Sequence, residues 1–344
     1  MIFVTGGTGL VGAHLLFELT NANKKVKALK RETSNLQQVL KTFSYYSEKP
    51  QELFNLIEWV NGDILDYFAM EEMLKGVTEI YHCAAIVSFR SSDHNRMIFN
   101  NVEGTSNIVN AAIANGIKKI CYVSSISALG HLPNGTPVTE ETNWVPSKKV
   151  SGYSISKFFS ETEIWRGIEE GLDAVIVNPS IILGPANWET GSARIFKTVW
   201  NGLPFYTRGA TGCVDVKDVV RAMTELMEPE IFDSAKNQRY ILSAENISFM
   251  DLFSQIADAL EKPRPKYFVS NIILGIAWMA TAFISLITRK PAVLTREIVA
   301  GSNEINRYDG TKITRLMNFQ YTPISDSIKQ IAAFLKNDIS QSGK

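Results

Sequence analysis

The chain has 344 residues, which at roughly 150 residues per domain predicts one large or two modest domains and excludes a small stapled scaffold. Lys and Arg number 35, as do Asp and Glu, so the formal net charge is zero; the cationic excess that nucleic-acid binding draws on is missing, and no nucleic-acid partner is expected. Apolar residues make up 45% and charged residues 20%, enough to fold around a core rather than stay disordered. Cys83, Cys121 and Cys213 match no zinc or haem spacing, so reduced thiols, a cytoplasmic setting and no metal are expected. The opening MIFVTGG has no basic region followed by a long apolar segment and cleavage site, so no export signal is expected.

Residues 2–5 are a short apolar run ended by Gly6 and Gly7, after which Leu10, Val11, Leu15, Leu16 and Leu19 recur at helical spacing. Further strands are predicted at 26–29, 56–60, 79–83 and 120–123, with helical patterns between most of them. In the helix over 101–115, Val102, Ile108, Val109 and Ile113 share a face; a helix over 153–170 and a strand over 174–177 follow. Such alternation predicts an α/β fold with a doubly wound parallel sheet. Beyond Pro179, Gly184, Pro185, Gly202, Pro204, Gly209 and Gly212 break the rhythm. A helix over 219–227 and a strand over 240–242 come next, then helices over 249–260, 272–287, 294–299 and 324–334.

The run Gly6-Gly7-Thr8-Gly9-Leu10-Val11-Gly12 lies between the first strand and the first helix. There Gly6 suits a tight turn, Gly9 admits a pyrophosphate to the backbone N–H groups, and Gly12 allows close helix packing. The helix N-terminus adds positive potential. A simple glycine-rich turn is the plainer alternative. An ATPase loop is excluded because Ala13-His14 follow Gly12 where Lys-Ser/Thr would be needed. The expected organisation is a Rossmann dinucleotide-binding domain at 1–180 with 211–245, a smaller, mostly helical substrate-binding region at 181–210 with 246–335, and a tail at 336–344.

Lys30 and Arg31 close the second strand, where a carboxylate would bind the ribose of NAD and a guanidinium the 2′-phosphate of NADP. NADP(H) is favoured over NAD(H), although Glu32 follows. Asp63, ahead of Ile64, either accepts from the adenine amino group with Ile64 packed on the ring, or caps the next helix.

Tyr153 and Lys157 stand at i and i+4 and project from one helix face. A phenol with a pKa near 10 exchanges protons poorly at neutral pH, and an adjacent ammonium would stabilise its phenolate. Ser124-Ser125 follow the strand at 120–123, at the sheet edge where doubly wound folds bind ligands. A hydroxyl there can bond a substrate carbonyl, and for Ser124 a turn or cap is the stronger reading.

Together these residues resemble the extended short-chain dehydrogenase/reductase superfamily. The resemblance takes in the glycine run, His82-Cys83-Ala84-Ala85, Asn101-Val102-Glu103-Gly104-Thr105, Ser124-Ser125, Tyr153 to Lys157, Asn178-Pro179-Ser180 and Val214-Asp215-Val216-Lys217-Asp218-Val219, in order along nearly the whole chain. It implies that Ser125 and Tyr153 hold the substrate oxygen, that Lys157 also binds the nicotinamide ribose, and that Ala84, Ala85, Asn178, Pro179 and Ser180 line the cofactor. It also implies hydride transfer at a carbon bearing oxygen, with Tyr153 as acid or base, and a homodimer contact on the helix at 101–115 or 153–170.

Within that superfamily, Gly184-Pro185 through Trp188, Gly202-Leu203-Pro204 and 209–219 resemble dihydroflavonol 4-reductases and 3β-hydroxysteroid dehydrogenase-like proteins, implying a hydrophobic, cyclic small-molecule substrate. Nucleotide-sugar epimerases and dehydratases are the alternative. They carry an acid where Lys30-Arg31 stand and an arginine just before 214–219, and Arg208 sits earlier than that. A cofactor-sensing module without turnover is the non-enzymatic alternative, disfavoured by Ser125, Tyr153 and Lys157. From Tyr267 to Thr288 no residue is charged, and Arg289-Lys290 follow; a helix that is either buried or partly in peripheral membrane contact through 267–288 is the expectation, ahead of a span. His82 is read as packing near the nicotinamide, His14, His94 and His131 as surface or helix residues, and Cys213 as a buried inert thiol.

Overall fold

In the computed structural model, which describes residues 1–146, 150–270, 272–276, 278, 299 and 301–342, the first half of the chain alternates strand with helix. Its elements are β1 (Ile2–Thr5), α1 (Leu10–Asn21), β2 (Val26–Lys30), α2 (Leu36–Ser44), α3 (Pro50–Phe54), β3 (Ile57–Asn61), α4 (Tyr67–Met73) and β4 (Glu79–His82). After these come α5 (His94–Ala114), β5 (Lys119–Val123), β6 (Pro137–Val138), α6 (Gly152–Glu169) and β7 (Asp173–Pro179). With β11 (Gln238–Leu242), seven strands form one parallel sheet in the order β11-β7-β5-β4-β1-β2-β3. This is the doubly wound Rossmann arrangement.

Side chains alternate across a strand, and the apolar runs divide accordingly. Ile2, Val4, Val26, Ala28, Val175 and Val177 face one layer, packed with Leu15, Leu16 and Val219. Phe3, Ile80, Ile120, Tyr122 and Ile176 face the other, packed with Met70, Ile108 and Ile164. A sheet buried on both faces explains why these strands read as continuous apolar runs. The winding reverses between β1 and β4, and a crevice opens beyond their carboxyl ends.

Next come β8 (Ile181–Leu183), α7 (Ala193–Trp200), β9 (Phe205–Tyr206), β10 (Ala210–Asp215), α8 (Val216–Leu226), α9 (Pro229–Ala235), β12 (Glu245–Ser248) and α10 (Phe249–Ala259). Helices α8 and α9 pack back on the first core through Val219, Met223, Leu226 and Phe232, while a second core lies under β8, α7, β10, β12 and α10. There Leu183, Phe196, Cys213, Leu252, Ile256 and Ile331 pack together. Residues 211–215, grouped by sequence rhythm with the dinucleotide-binding part, belong instead to a small sheet ordered β12-β10-β8. The reason is pairing over long sequence separation, Cys213 with Ile181 and with Glu245, which local patterning does not report. The expected tail at 336–344 is also corrected. Through Ser342 it continues the helix Ile324–Ser342, because buried Asp338 accepts from Tyr45 Oη and Trp188 Nε1, both at 2.6 Å, and pairs with Lys41 at 2.8 Å.

The helix expected at 101–115 starts earlier, at His94, led in by the short turn Ser91–Asp93 and anchored by buried Met97. Of the apolar stretch 267–288, residues 272–276 are helical with Ile272, Ile273 and Ile276 exposed. Its remainder beyond Trp278, with Arg289-Lys290 and the helix expected at 294–299 apart from Val299, lies outside the described residues. Among the described residues no helix is long and apolar enough to cross a membrane.

Candidate active site

The predicted glycine turn sits at the winding reversal. Gly6 has φ +68, and a Cβ there would lie 2.5 Å from Ala84 N, so this position needs both the left-handed conformation and the missing side chain. A Cβ on Gly12 would run into the Gly6 carbonyl. Gly12 thus closes the turn on itself, beyond easing the helix against the sheet. Gly9 precedes α1 and has no side chain to cap the helix's first amides, which leaves those donors for an anion.

Below the turn, the hydrogen bonds of His82 fix its tautomer. Thr105 Oγ1 donates to Asn101 O at 2.7 Å and therefore accepts from His82 Nε2–H at 3.1 Å. On the other side Thr5 Oγ1 accepts from Ala84 N at 3.2 Å and donates to His82 Nδ1 at 2.6 Å. Burial lowers the His82 pKa to about 3, so the ring is a neutral tie between β1, β4 and α5. His14, expected to be an ordinary helix or surface residue, is buried in α1, with Nδ1 at 2.8 Å from Leu10 O and Nε2 at 3.0 Å from Tyr46 Oη.

At the far end of the crevice, Lys30 Nζ donates to Asn61 Oδ1 at 2.6 Å. Arg31 is exposed, and its backbone N–H donates to Ser34 Oγ at 3.0 Å. Asp63 does not cap α4; Asp66 does, accepting from Ala69 N at 3.0 Å. Asp63 is exposed and accepts from Leu65 N at 3.1 Å. Ile64 packs so tightly over Gly104 that a Cβ there would collide with its side chain.

Opposite the turn, Ser151 starts α6 by accepting from Ser154 N at 3.0 Å, which sets Tyr153 in the helix's first turn. Burial raises the pKa of the Tyr153 phenol, and the nearby Ser125 side chain counters it. Ser125 Oγ accepts from Ser127 N at 3.1 Å. Lys157 is buried and donates from Nζ to Val123 O at 2.8 Å. Burial lowers its pKa to about 8, against the raising influence of Cys83 and Glu161. Tyr153 and Lys157 do share a helix face, yet the ammonium satisfies itself on a strand-end carbonyl.

Sequence reasoning missed the polar cluster behind these groups. Glu161 is 3% exposed and accepts at Oε2 from Ser124 Oγ at 2.5 Å and Asn178 Nδ2 at 2.8 Å. At Oε1 it accepts from Arg239 at 3.2 Å and Trp165 Nε1 at 3.3 Å. Asn178 Nδ2 also donates to Ser125 O at 3.0 Å, so one carboxylate holds both serines' segment in place. Its signal was available: Glu161 stands four residues past Lys157, on the same helix face. Asn178 Oδ1 is buried without a hydrogen-bond partner among the described residues. Ser180 points elsewhere, with N–H and Oγ both donating to Leu242 O, at 2.9 and 3.1 Å. Cys213 is fully buried and its pKa is pushed up to about 12 by burial, in keeping with an inert thiol. Arg208 lies over the Phe268 ring, 4.3 Å from its centroid.

The model of the NAD dependent epimerase/dehydratase family matches residues 2–237. A Synechocystis protein described as "Putative dihydroflavonol 4-reductase" is 29% identical over 342 residues, covering 97% of this chain and 94% of its own. Sterol demethylase protein B of Methylococcus capsulatus is 28% identical over 280 residues, 80% of this chain and 79% of that one. Among solved structures, the crystal structure of gox2253 superposes with a TM-score of 0.79 at 27% identity, covering 98% of each chain.

Proposed function

Since the chain belongs to the NAD dependent epimerase/dehydratase family, we propose that it is an NADP(H)-dependent reductase acting on the carbonyl of a hydrophobic, cyclic substrate, with Tyr153 as the proton donor. The observation that carries this reading is the Ser125 hydroxyl set close enough to the Tyr153 phenol to influence its titration, with Ser125 just after β5 at the carboxyl edge of the sheet, across the crevice from the glycine turn. A nicotinamide dinucleotide fits the residues around it. The backbone cradle at Gly6 and Gly12 is one a Cβ would fill, the first amides of α1 are open at Gly9, and Asn178 Oδ1 is a buried acceptor without a partner among the described residues.

When bound, the nicotinamide supplies the hydride. The side chains manage the proton. Burial keeps the Tyr153 phenol protonated at neutral pH, which is the form a reductase needs to donate to the carbonyl oxygen. Ser125 bonds the same oxygen as negative charge develops on it. Lys157, with a pKa of about 8, is mostly cationic at pH 7 and stands beside the strand end to hold ribose hydroxyls. Lys30 and Arg31 favour the 2′-phosphate of NADP(H). A hydrophobic substrate agrees with the exposed Phe89 ring against that of Tyr153 and with the name of the Synechocystis relative. We assign the homodimer contact to α5 and α6, where Phe99 and Phe159 are exposed.

Two measurements test the reading. Net NADPH consumption with cyclic ketones supports it, whereas isomerisation of a nucleotide sugar without net redox change overturns it. Saturation with NADPH and NADH tests the cofactor assignment, which fails if NADH has the lower KM.

A further inference from the structure

The loop after β4 ends in an aromatic side chain that neither the cofactor turn nor the Ser125–Tyr153 pair uses. Phe89 is 41% exposed, yet its ring meets the Tyr153 ring edge to face, with centroids 5.7 Å apart and planes at 63°. The backbone behind it is tied down. Buried Asn101 accepts from Ile86 N at 2.7 Å and donates to Ile86 O at 2.9 Å. Ser88 Oγ donates to Asp93 at 2.7 Å and accepts from Arg90 N at 3.3 Å. Between these ties Val87 is 59% exposed. A loop whose Ile86 backbone and Ser88 hydroxyl are held by protein, and whose Phe89 ring stays open against the Tyr153 ring, has the character of a pocket wall: few convergent polar groups set in an apolar lining.

We propose that Phe89 is a specificity-determining residue, an apolar wall beside the reacting carbonyl that selects substrates whose carbonyl is attached to a flat apolar ring. The inference rests on Tyr153 being the proton donor. A carbonyl oxygen within hydrogen-bond reach of that phenol, about 3 Å, brings the carbonyl's substituent against a ring already in contact with the phenol. Offset and edge-to-face ring contacts change affinity by up to about tenfold. A small aliphatic substituent does not reach far enough to gain it.

The test uses the full chain as wild type, F89A, F89L and Y153F, with NADPH and two probes, acetophenone and acetone. Turnover is measured with each ketone, and acetophenone binding to the NADPH-loaded protein by calorimetry. F89A is expected to weaken acetophenone about tenfold, in KM and in binding, with kcat within about twofold and acetone unchanged. F89L should recover part of the loss. Because Phe89 lies at the rim, the melting temperature should hold. Equal effects on both ketones, or no effect on acetophenone in turnover or binding, overturn the proposal. A Y153F variant with wild-type turnover sinks the underlying reading instead, and a dead Y153F beside a ring-blind F89A sinks the role of Phe89 alone.

Discussion

The two walls of the crevice are built by opposite means. The wall at β1 and α1 is backbone: Gly6 presses on Ala84 and Gly12 on the Gly6 carbonyl, so its shape depends on side chains that are missing. The wall at β5 and α6 is side chain: Ser124, Asn178 and Arg239 converge on the buried Glu161 carboxylate, and Ser125 on the phenol of Tyr153. One wall should therefore fail sterically when anything is added, and the other electrostatically when a charge or hydroxyl is removed.

The largest expected effect comes from Y153F, which deletes the proposed acid. Turnover should fall by about 100-fold to 10,000-fold while NADPH binding, measured by fluorescence titration, stays close to wild type. Retained turnover would erase the functional half of the contrast. E161Q comes next. Removing one partner of a buried charge pair typically costs about 3–5 kcal/mol; with Arg239 at 20% side-chain exposure, the loss read by urea unfolding should be nearer ~2–3 kcal/mol. G12A should cost about 1–3 kcal/mol by overpacking and weaken NADPH binding more than it lowers kcat, the reverse of the Glu161 variant.

The pH dependence sharpens the comparison further. Lys157 has a folded pKa of about 8, below the ordinary lysine value of 10.5, so kcat/KM should decline above pH 8 as the ammonium is lost. The unfolded chain binds more protons than the folded one between 8 and 10.5, so this group's contribution to stability rises with pH across that window. His14 and His82 have folded values of about 4 and about 3 against the ordinary histidine value of 6.5. Their contributions are fully present above 6.5 and are lost as pH falls toward those folded values, which should appear as a steepening loss of melting temperature below pH 6.5. The smallest effect is expected from F159E, which should lower the apparent mass in sedimentation and leave the crevice chemistry unchanged.

How much was legible in the sequence follows the same division. The glycine turn, the parallel sheet and the Tyr153-x-x-x-Lys157 face were readable because each is a local pattern of spacing and residue type. Glu161 left only its spacing past Lys157 as a signal, since its partners Asn178 and Arg239 are brought to it by two other strands. Lys157 lies on the expected helix face, and its bond to Val123 O of β5 left no trace in the local pattern. The pairing of Ala210–Asp215 with β8 and β12 likewise left no local trace. The boundary between the two cores was thus set one strand off.

Asp338 makes the last turns of the chain a latch. Its carboxylate answers an indole, a phenol and an ammonium drawn from Trp188, Tyr45 and Lys41, so trimming the chain after Leu335 would strand three donors at once in separate parts of the molecule. The layer that carries the dinucleotide turn and the one under the second core should then lose their shared melting transition. A fusion partner at this terminus should be tolerated only where its linker begins beyond that carboxylate.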